Sequence, residues 1–265
     1  MKYVLSLAAA VAAMTPSLAT AKPVAQAKPE IVLVHGAFET ASIWRGVEAS
    51  LRKDGYRVST VNLPGRLGAP ASPAGLNLGV YRQAVLKSVN AARGPVVLVG
   101  HSFGGIIISS VADVAPAKVR TLVYVAALLP RDGDSLLSMA NTDPGSQVGP
   151  HLKIDKDHGL AAIESDARGE LFANGADPAV QAAVAQAIVP EPLPPLAEPI
   201  HLTGGLTKVD KVYVHTARDH VVSPAAQAAM VAGTPVRKEV ILDTGHTPFI
   251  TDPSDLVKAI EEAPM

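Results

Sequence analysis

The sequence contains no cysteine in 265 residues, which excludes disulfides, thiolate metal sites and a cysteine nucleophile. Aromatic residues make up only 4% of the chain, so we expect a pocket lined mainly by aliphatic and small side chains. Charged residues make up 18%, the net charge is −1, and no run of Lys and Arg offers a face for nucleic acid. Hydrophobic residues, at 48%, are ample for one compact domain.

Long apolar runs are also missing. The apolar stretch Tyr3–Met14 follows Lys2 and is too short to span a bilayer. Small-x-small cleavage patterns end at Ala21 and at Ala27. These features predict a cleavable signal peptide at 1–27, a periplasmic or secreted mature protein, and no stable insertion in a membrane.

The mature chain alternates apolar segments rich in β-branched residues with segments whose apolar residues recur every three or four positions. The predicted strands are EIVLVHG, YRVSTVNLPG, PVVLVG, VRTLVYVAAL, DKVYVHTA and RKEVILD. Continuous apolar strands between amphipathic helices predict an α/β fold, a mostly parallel six-stranded sheet with helices on both faces. Ligands in such folds bind beyond the carboxyl ends of the strands, so residues directly after each strand are the candidate site residues.

One segment interrupts this alternation. From about Arg131 to Thr207 there is no strong strand pattern, but there is a helical pattern, DPAVQAAVAQAI, and a proline-rich stretch, VPEPLPPLAEP. Long segments of this kind in compact domains are usually functional. We therefore predict one domain at 28–265, with a helical cap inserted between the fourth and fifth strands at about 131–207; an ordinary long connection is the alternative.

A candidate nucleophile lies where the third strand meets the next helix. Gly100-His101-Ser102-Phe103-Gly104 has the form G-x-S-x-G, which in this strand-to-helix context indicates a nucleophile elbow. The turn closes only if positions 100 and 104 lack side chains, and it then exposes the Ser102 hydroxyl above the sheet edge. The alternative is a glycine-rich turn that holds an incidental serine.

A serine needs a histidine base, and that histidine needs an orienting carboxylate. In this fold the chain order is serine, acid, histidine. Asp219 follows the fifth predicted strand and His246 follows the sixth, so we predict them as the acid and the base that serve Ser102. The other acidic candidates are Asp132, Asp134 and Asp243.

The oxyanion of an acyl-transfer reaction needs two backbone donors. We predict the N–H of Phe103, directly after the nucleophile, and the N–H of Ala37, in the turn after the first strand. His151, His158 and His201, in the predicted cap, have no ligand-like spacing, and the sequence has no H-E-x-x-H motif, so we expect no metal and no cofactor. His101 lies inside the elbow, where we expect a local hydrogen bond, and His220 is expected at the surface.

With these motifs the sequence resembles the α/β-hydrolase superfamily. It is most similar to the branch that contains plant methyl esterases, hydroxynitrile lyases and related bacterial esterases. The matching stretches are VLVHGAFETASIW, VVLVGHSFGG, LVYVAALLPRDGDS, LFANGADPAVQAAVAQAIVPEPLPPLAEPI, VYVHTARDHVVSPAAQ and TGHTPFITDP. The resemblance spans nearly all of the mature chain and implies the same triad and the same two oxyanion donors.

The resemblance also separates two chemistries. The lyases of this branch carry a threonine directly after the first strand's histidine and a lysine directly after the catalytic histidine, where this chain has Gly36 and Thr247. We therefore predict a serine carboxylesterase that acts on small to medium apolar esters through an acyl-enzyme on Ser102. The alternatives are lactone or amide hydrolysis, hydroxynitrile cleavage, or a non-catalytic binding protein; a haloalkane dehalogenase would have aspartate at position 102.

Overall fold

The structure, a computed structural model, describes residues 28–265. The predicted signal peptide at 1–27 lies outside the described residues. Within 28–265, no helix is both long enough and apolar enough to cross a membrane.

A six-stranded sheet in the order β2-β1-β3-β4-β8-β9 forms the centre of the molecule, and every neighbouring pair in it is parallel. Its strands are β1 (Ile31–Val34), β2 (Val58–Val61), β3 (Val96–His101), β4 (Val119–Val125), β8 (Asp210–Thr216) and β9 (Lys238–Leu242). β1, β3 and β4 are buried nearly throughout because helices cover both faces, which explains their continuous apolar sequences. The predicted fold class is confirmed.

Helices cover the two faces of the sheet and divide the core into two layers. One layer includes Trp44, Leu51 and Ile260, and the other includes Tyr81 and Ile106, all fully buried. The helices outside the inserted segment are α1 (Arg45–Lys53), α2 (Leu78–Ala91), α3 (Gly104–Val114), α8 (Pro224–Gly233), α9 (Pro248–Thr251) and α10 (Pro253–Glu262).

The segment between β4 and β8 contains helices, as predicted, together with a small sheet that the sequence pattern did not indicate. Its helices are α4 (Leu136–Asn141), α5 (Arg168–Ala173), α6 (Pro178–Ala187) and α7 (Leu193–Ala197). Its strands are β5 (Leu152–Asp155), β6 (Leu160–Ile163) and β7 (Glu191–Pro192), which pair in an antiparallel sheet. These strands have two to four residues and β5 is mostly exposed, so their sequence signal is weak, although β6 has the apolar sequence LAAI.

Candidate active site

Ser102 occupies a strained turn between β3 and α3. Its φ is +50°, a left-handed conformation that non-glycine residues rarely adopt. A Cβ on Gly100 would lie 2.7 Å from the Gly104 carbonyl oxygen, and a Cβ on Gly104 would lie 2.9 Å from the His35 carbonyl oxygen. Both glycines are therefore required by close backbone approach, as the motif predicted.

Asp219 and His246 meet beyond the ends of β8 and β9. His246 Nδ1 lies 2.8 Å from Asp219 Oδ2, and both side chains are fully buried. The other oxygen of Asp219 accepts the N–H groups of Val221 and Val222, at 2.7 and 3.0 Å. Because each carboxylate oxygen is held by donors, the carboxyl group has one orientation toward the imidazole ring.

Two further side chains hold the Asp219 oxygen that faces the histidine. The Thr216 hydroxyl donates to Oδ2 at 2.7 Å, and the Gln227 amide nitrogen lies 3.2 Å from it. Gln227 is fully buried on α8 and accepts the Thr216 backbone N–H at 3.0 Å. The sequence gives no local sign of this support, because a glutamine on a helix is usually a surface residue.

The alternative acids have partners other than His246. The Asp243 side chain is 85% exposed and pairs with Arg218, so it is turned away from His246. Asp132 accepts the Leu202 N–H, and Asp134 accepts the Arg131 N–H. Among the described residues, Asp219 is the acid hydrogen-bonded to His246.

The base nitrogen of His246 is buried and has no hydrogen-bond partner within the described part of the chain. The His246 ring lies beside the elbow: its centroid is 4.5 Å from that of His101, the residue before Ser102. The backbone carbonyl of His246 also accepts the His101 Nε2–H at 2.8 Å. The unpartnered Nε2 is thus free to accept a proton.

The two backbone amides predicted to bind the oxyanion have no hydrogen-bond acceptor within 28–265, whereas both neighbours of Ala37 have one. The Gly36 N–H donates to Glu39 at 2.8 Å, and the Phe38 N–H donates to Glu191 at 2.9 Å. Between them, Ala37 donates no backbone hydrogen bond to any residue in 28–265, and neither does Phe103. The turn after β1 and the start of α3 therefore offer two unused donors next to Ser102.

His35, which precedes this turn, has a structural role. Burial, together with the nearby Arg66 guanidinium, lowers the pKa of His35 to about 3. Its Nε2 accepts the Leu63 N–H at 3.1 Å, so the ring is neutral with its proton on Nδ1. His35 is therefore a fixed link between the loops after β1 and β2.

Glu39 and His101 form a buried pair directly behind His246. Glu39 Oε2 lies 2.9 Å from His101 Nδ1 and accepts the Gly36 N–H as well. Burial by itself opposes ionisation of both groups, but their attraction prevails: the pKa of Glu39 is lowered and the pKa of His101 is raised. The pair joins the oxyanion turn, the elbow and the His246 loop, and sequence reasoning did not single out Glu39.

We expect Glu39→Gln to destabilise the protein more at about pH 5.5 than at about pH 8. In the wild type, the raised pKa of His101 adds stability that is complete below the unfolded pKa of about 6.5 and is lost as pH rises through the folded pKa. In the variant, burial without the carboxylate lowers the pKa of His101 in the folded protein. Below about pH 6.5 the unfolded protein then binds the proton more readily than the folded protein, and the free energy of unfolding falls.

The loss of unfolding free energy caused by Glu39→Gln should therefore be about 1–2 kcal/mol larger at the lower pH. Urea unfolding of both proteins at the two pH values measures this difference. The exposed Glu239, which pairs with the partly buried His215, provides a matched control, Glu239→Gln, with a small loss because exposed ion pairs contribute little to stability. Equal losses at both pH values for Glu39→Gln would show that the buried pair is not ionised.

A cavity of about 390 Å³ opens above Ser102, between the inserted segment and α8. This volume is in the usual range for small-molecule sites. Its walls are mainly apolar, with Leu128, Val222 and Met230 among them, and Phe38 and Phe172 add two aromatic faces that the low aromatic content did not suggest. Arg131 and Asp134 also line it. Within 28–265, no group of three or more His, Cys, Asp or Glu side chains is placed to hold a metal ion.

The fold and the arrangement of Ser102, Asp219 and His246 beyond its strand ends are those of an α/β hydrolase. A model of the alpha/beta hydrolase family matches residues 31–259, and the chain belongs to this family. The prediction of an enzyme of the hydrolase class is confirmed at this level.

Relatives also confirm the predicted branch. A carbendazim hydrolyzing esterase of Nocardioides sp. (strain SG-4G) is 33% identical over 86% of this chain and 97% of its own length. A putative chloroplastic methylesterase 13 of Arabidopsis thaliana is 27% identical over 87% of this chain and 55% of its own. An alpha-hydroxynitrile lyase of the same plant is 36% identical, over 39% of this chain and 41% of its own.

Among solved structures, polyneuridine aldehyde esterase superposes with a TM-score of 0.78 at 18% identity, over 88% of this chain and 98% of that one. This similarity shows the shared fold. It includes most of the residues between β4 and β8, because the superposition spans nearly all of the described chain.

Proposed function

We propose that this protein is a serine carboxylesterase that hydrolyses small to medium apolar esters. The observation that carries the proposal is the Asp219–His246 pair at 2.8 Å, whose buried His246 Nε2 has no partner within 28–265, together with the strained Ser102 and the cavity above it. The relatives named as esterases support the same reaction class.

In the proposed first step, His246 Nε2 removes the Ser102 hydroxyl proton as Oγ attacks the ester carbonyl. The carbonyl π electrons move to the oxygen, whose negative charge is stabilised by the N–H groups of Ala37 and Phe103. When the tetrahedral intermediate collapses, the C–O bond to the alcohol breaks, and His246 gives its proton to the departing oxygen. The acyl group remains as an ester on Ser102.

Water then replaces the alcohol. His246 accepts a proton from the water as its oxygen attacks the acyl carbon, and the same two amides stabilise the second oxyanion. Collapse breaks the bond to Ser102 Oγ, which recovers its proton from His246. Asp219 keeps the Nδ1 proton in place throughout and stabilises the imidazolium in both steps, so the enzyme returns to its starting state without a cofactor.

The site favours hydrolysis over hydroxynitrile cleavage. The branch's lyases carry a lysine directly after the catalytic histidine, whereas Thr247 here is neutral and its hydroxyl donates to the Phe172 carbonyl at 2.7 Å. Gly36 supplies no hydroxyl at the other position that distinguishes the lyases. Thr247 therefore supplies no positive charge at the position where the lyases carry their lysine.

A series of p-nitrophenyl esters from acetate to decanoate tests the proposal. Because the cavity is lined mainly by apolar side chains and has a volume of about 390 Å³, we expect kcat/KM to rise with acyl length and then fall once the chain exceeds the available space. The series is measured in parallel with Ser102→Ala, which should be inactive on every ester. Wild-type activity no higher than that of the variant would refute the proposal for simple esters.

A further inference from the structure

Phe38, the residue after the proposed oxyanion donor Ala37, has an unusual backbone conformation. Its φ is +63°, in the left-handed region that disfavours a bulky side chain. Such a conformation persists only where the surroundings hold it in place. The inserted segment does this from both sides: the Phe38 N–H donates to Glu191 Oε2 at 2.9 Å, and its carbonyl accepts the Val189 N–H at 2.8 Å.

The Glu191 carboxylate is itself fixed from the body of the domain. It forms an ion pair with Arg66, in the loop after β2, and both side chains are fully buried. Its second oxygen accepts the Tyr81 hydroxyl of α2 at 3.2 Å, and Arg66 donates to the same hydroxyl at 2.5 Å. The carboxylate that binds Phe38 thus has partners from two elements outside the inserted segment.

We propose that Glu191, held by Arg66, is a positioning residue that sets the oxyanion site by fixing Phe38. The bond from the Phe38 N–H to Glu191 fixes the peptide unit between Ala37 and Phe38, and so limits rotation of the Ala37 backbone, whose own N–H has no acceptor within 28–265. Catalysis then depends on docking of β7, because Glu191 is its first residue. This inference rests on the proposed function, since it concerns the oxyanion of acyl transfer.

Three variants test the proposal. Glu191→Ala removes the acceptor of the Phe38 N–H but leaves Arg66 buried and unpaired, which can prevent folding. The double variant Arg66→Met/Glu191→Met removes both charges and keeps the volume, so it is the main test. Glu191→Gln retains an oxygen that can accept the same N–H, and it should recover part of the activity.

Kinetics on the preferred p-nitrophenyl ester are normalised to the fraction of protein that a fluorophosphonate labels at Ser102. For the double variant we expect kcat to fall roughly 10–100-fold with KM within about 3-fold of wild type, because the loss concerns the transition state. Affinity for a trifluoromethyl ketone inhibitor, which forms an oxyanion on binding, should fall by a factor similar to that of kcat/KM.

Asp113 provides the matched control, since it is also a buried carboxylate that fixes a loop. It accepts N–H groups of Thr203, Gly204 and Leu206 at the end of α3 away from the site. Asp113→Asn should lower the melting temperature but leave kcat per labelled site unchanged. Wild-type kcat in the double variant, or the same fall in kcat for Asp113→Asn, would overturn the proposal.

A second readout does not depend on esterase activity. Amide hydrogen exchange in the segment 36–40 should be faster in the double variant than in the wild type, because the Phe38 N–H loses its acceptor. Unchanged exchange there would overturn the inference even in an enzyme without measurable activity. Absence of ester hydrolysis by the wild type, with faster exchange in the variant, would refute the proposed function while supporting the role of Glu191 in holding Phe38.

Discussion

Replacing Ser102 with alanine is expected to lower kcat on p-nitrophenyl esters by about 10⁴–10⁶-fold, to the residual rate that binding and the oxyanion donors supply alone. The variant loses the atom that forms the acyl-enzyme, and nothing in the cavity replaces it. KM should change little, because the removed hydroxyl contributes little to the apolar contacts of the ground state. The thermal unfolding temperature should be retained or slightly raised, since alanine at the strained turn introduces no new contact.

Ser109→Ala is the control for this experiment. Ser109 is a fully buried serine of α3, seven positions after Ser102, and its hydroxyl donates to the Gly105 carbonyl at 2.7 Å. Its replacement removes a hydroxyl from the helix that follows the Ser102 turn, and Ser109 does not line the cavity, so kcat should stay near that of the wild type. A Ser102→Ala protein that keeps more than about a tenth of wild-type kcat would exclude Ser102 as the nucleophile.

The second large effect is expected for Asp219→Asn, with kcat roughly 10⁴-fold below that of the wild type. Oδ1 of Asp219 faces two backbone N–H donors, so the asparagine oxygen would occupy that position and its NH₂ group would face His246. The histidine would then accept at Nδ1 and carry its proton on Nε2. In that tautomer it cannot remove the proton from Ser102.

Asp243→Asn serves as the control, because it changes an exposed carboxylate three positions before His246 and should not alter kcat. Steady-state kinetics of the two variants, with circular dichroism to establish folding, make the comparison. Retained activity in Asp219→Asn together with inactivity in Asp134→Asn would assign the acid to the loop after β4. A tautomer shift of His246 in ¹⁵N NMR would independently establish the mechanism of the loss.

A second set of buried polar side chains surrounds the three candidate catalytic residues. Glu39 and Glu191 accept the N–H groups on either side of Ala37, those of Gly36 and Phe38. Gln227 donates directly to Asp219. Each of these residues is fully or almost fully buried. Because an unpaired buried polar group is costly, these networks hold the site rigidly only while every partner is in place.

The sequence by itself determined the order and type of the main elements. Strands with apolar runs, separated by amphipathic helices, specify a covered parallel sheet, because central strands such as β1, β3 and β4 are buried on both faces and have no polar side. It also determined the positions of Ser102, Asp219 and His246 at strand ends, since these depend only on where each apolar run stops. Gly100 and Gly104 could also be predicted from the sequence, because the tight turn that requires them has a local sequence motif.

Only the tertiary structure decided which acid faces His246, how the inserted segment folds and which buried charges meet. Asp219 and His246 are 27 positions apart, and Arg66 and Glu191 are 125 positions apart. Such contacts leave no periodic trace, because each partner is compatible with its own local structure whether or not the other is near. A charged side chain is buried only where a partner neutralises it. The tertiary packing supplies Arg66 to Glu191, which is fully buried, whereas Asp243 remains exposed to solvent.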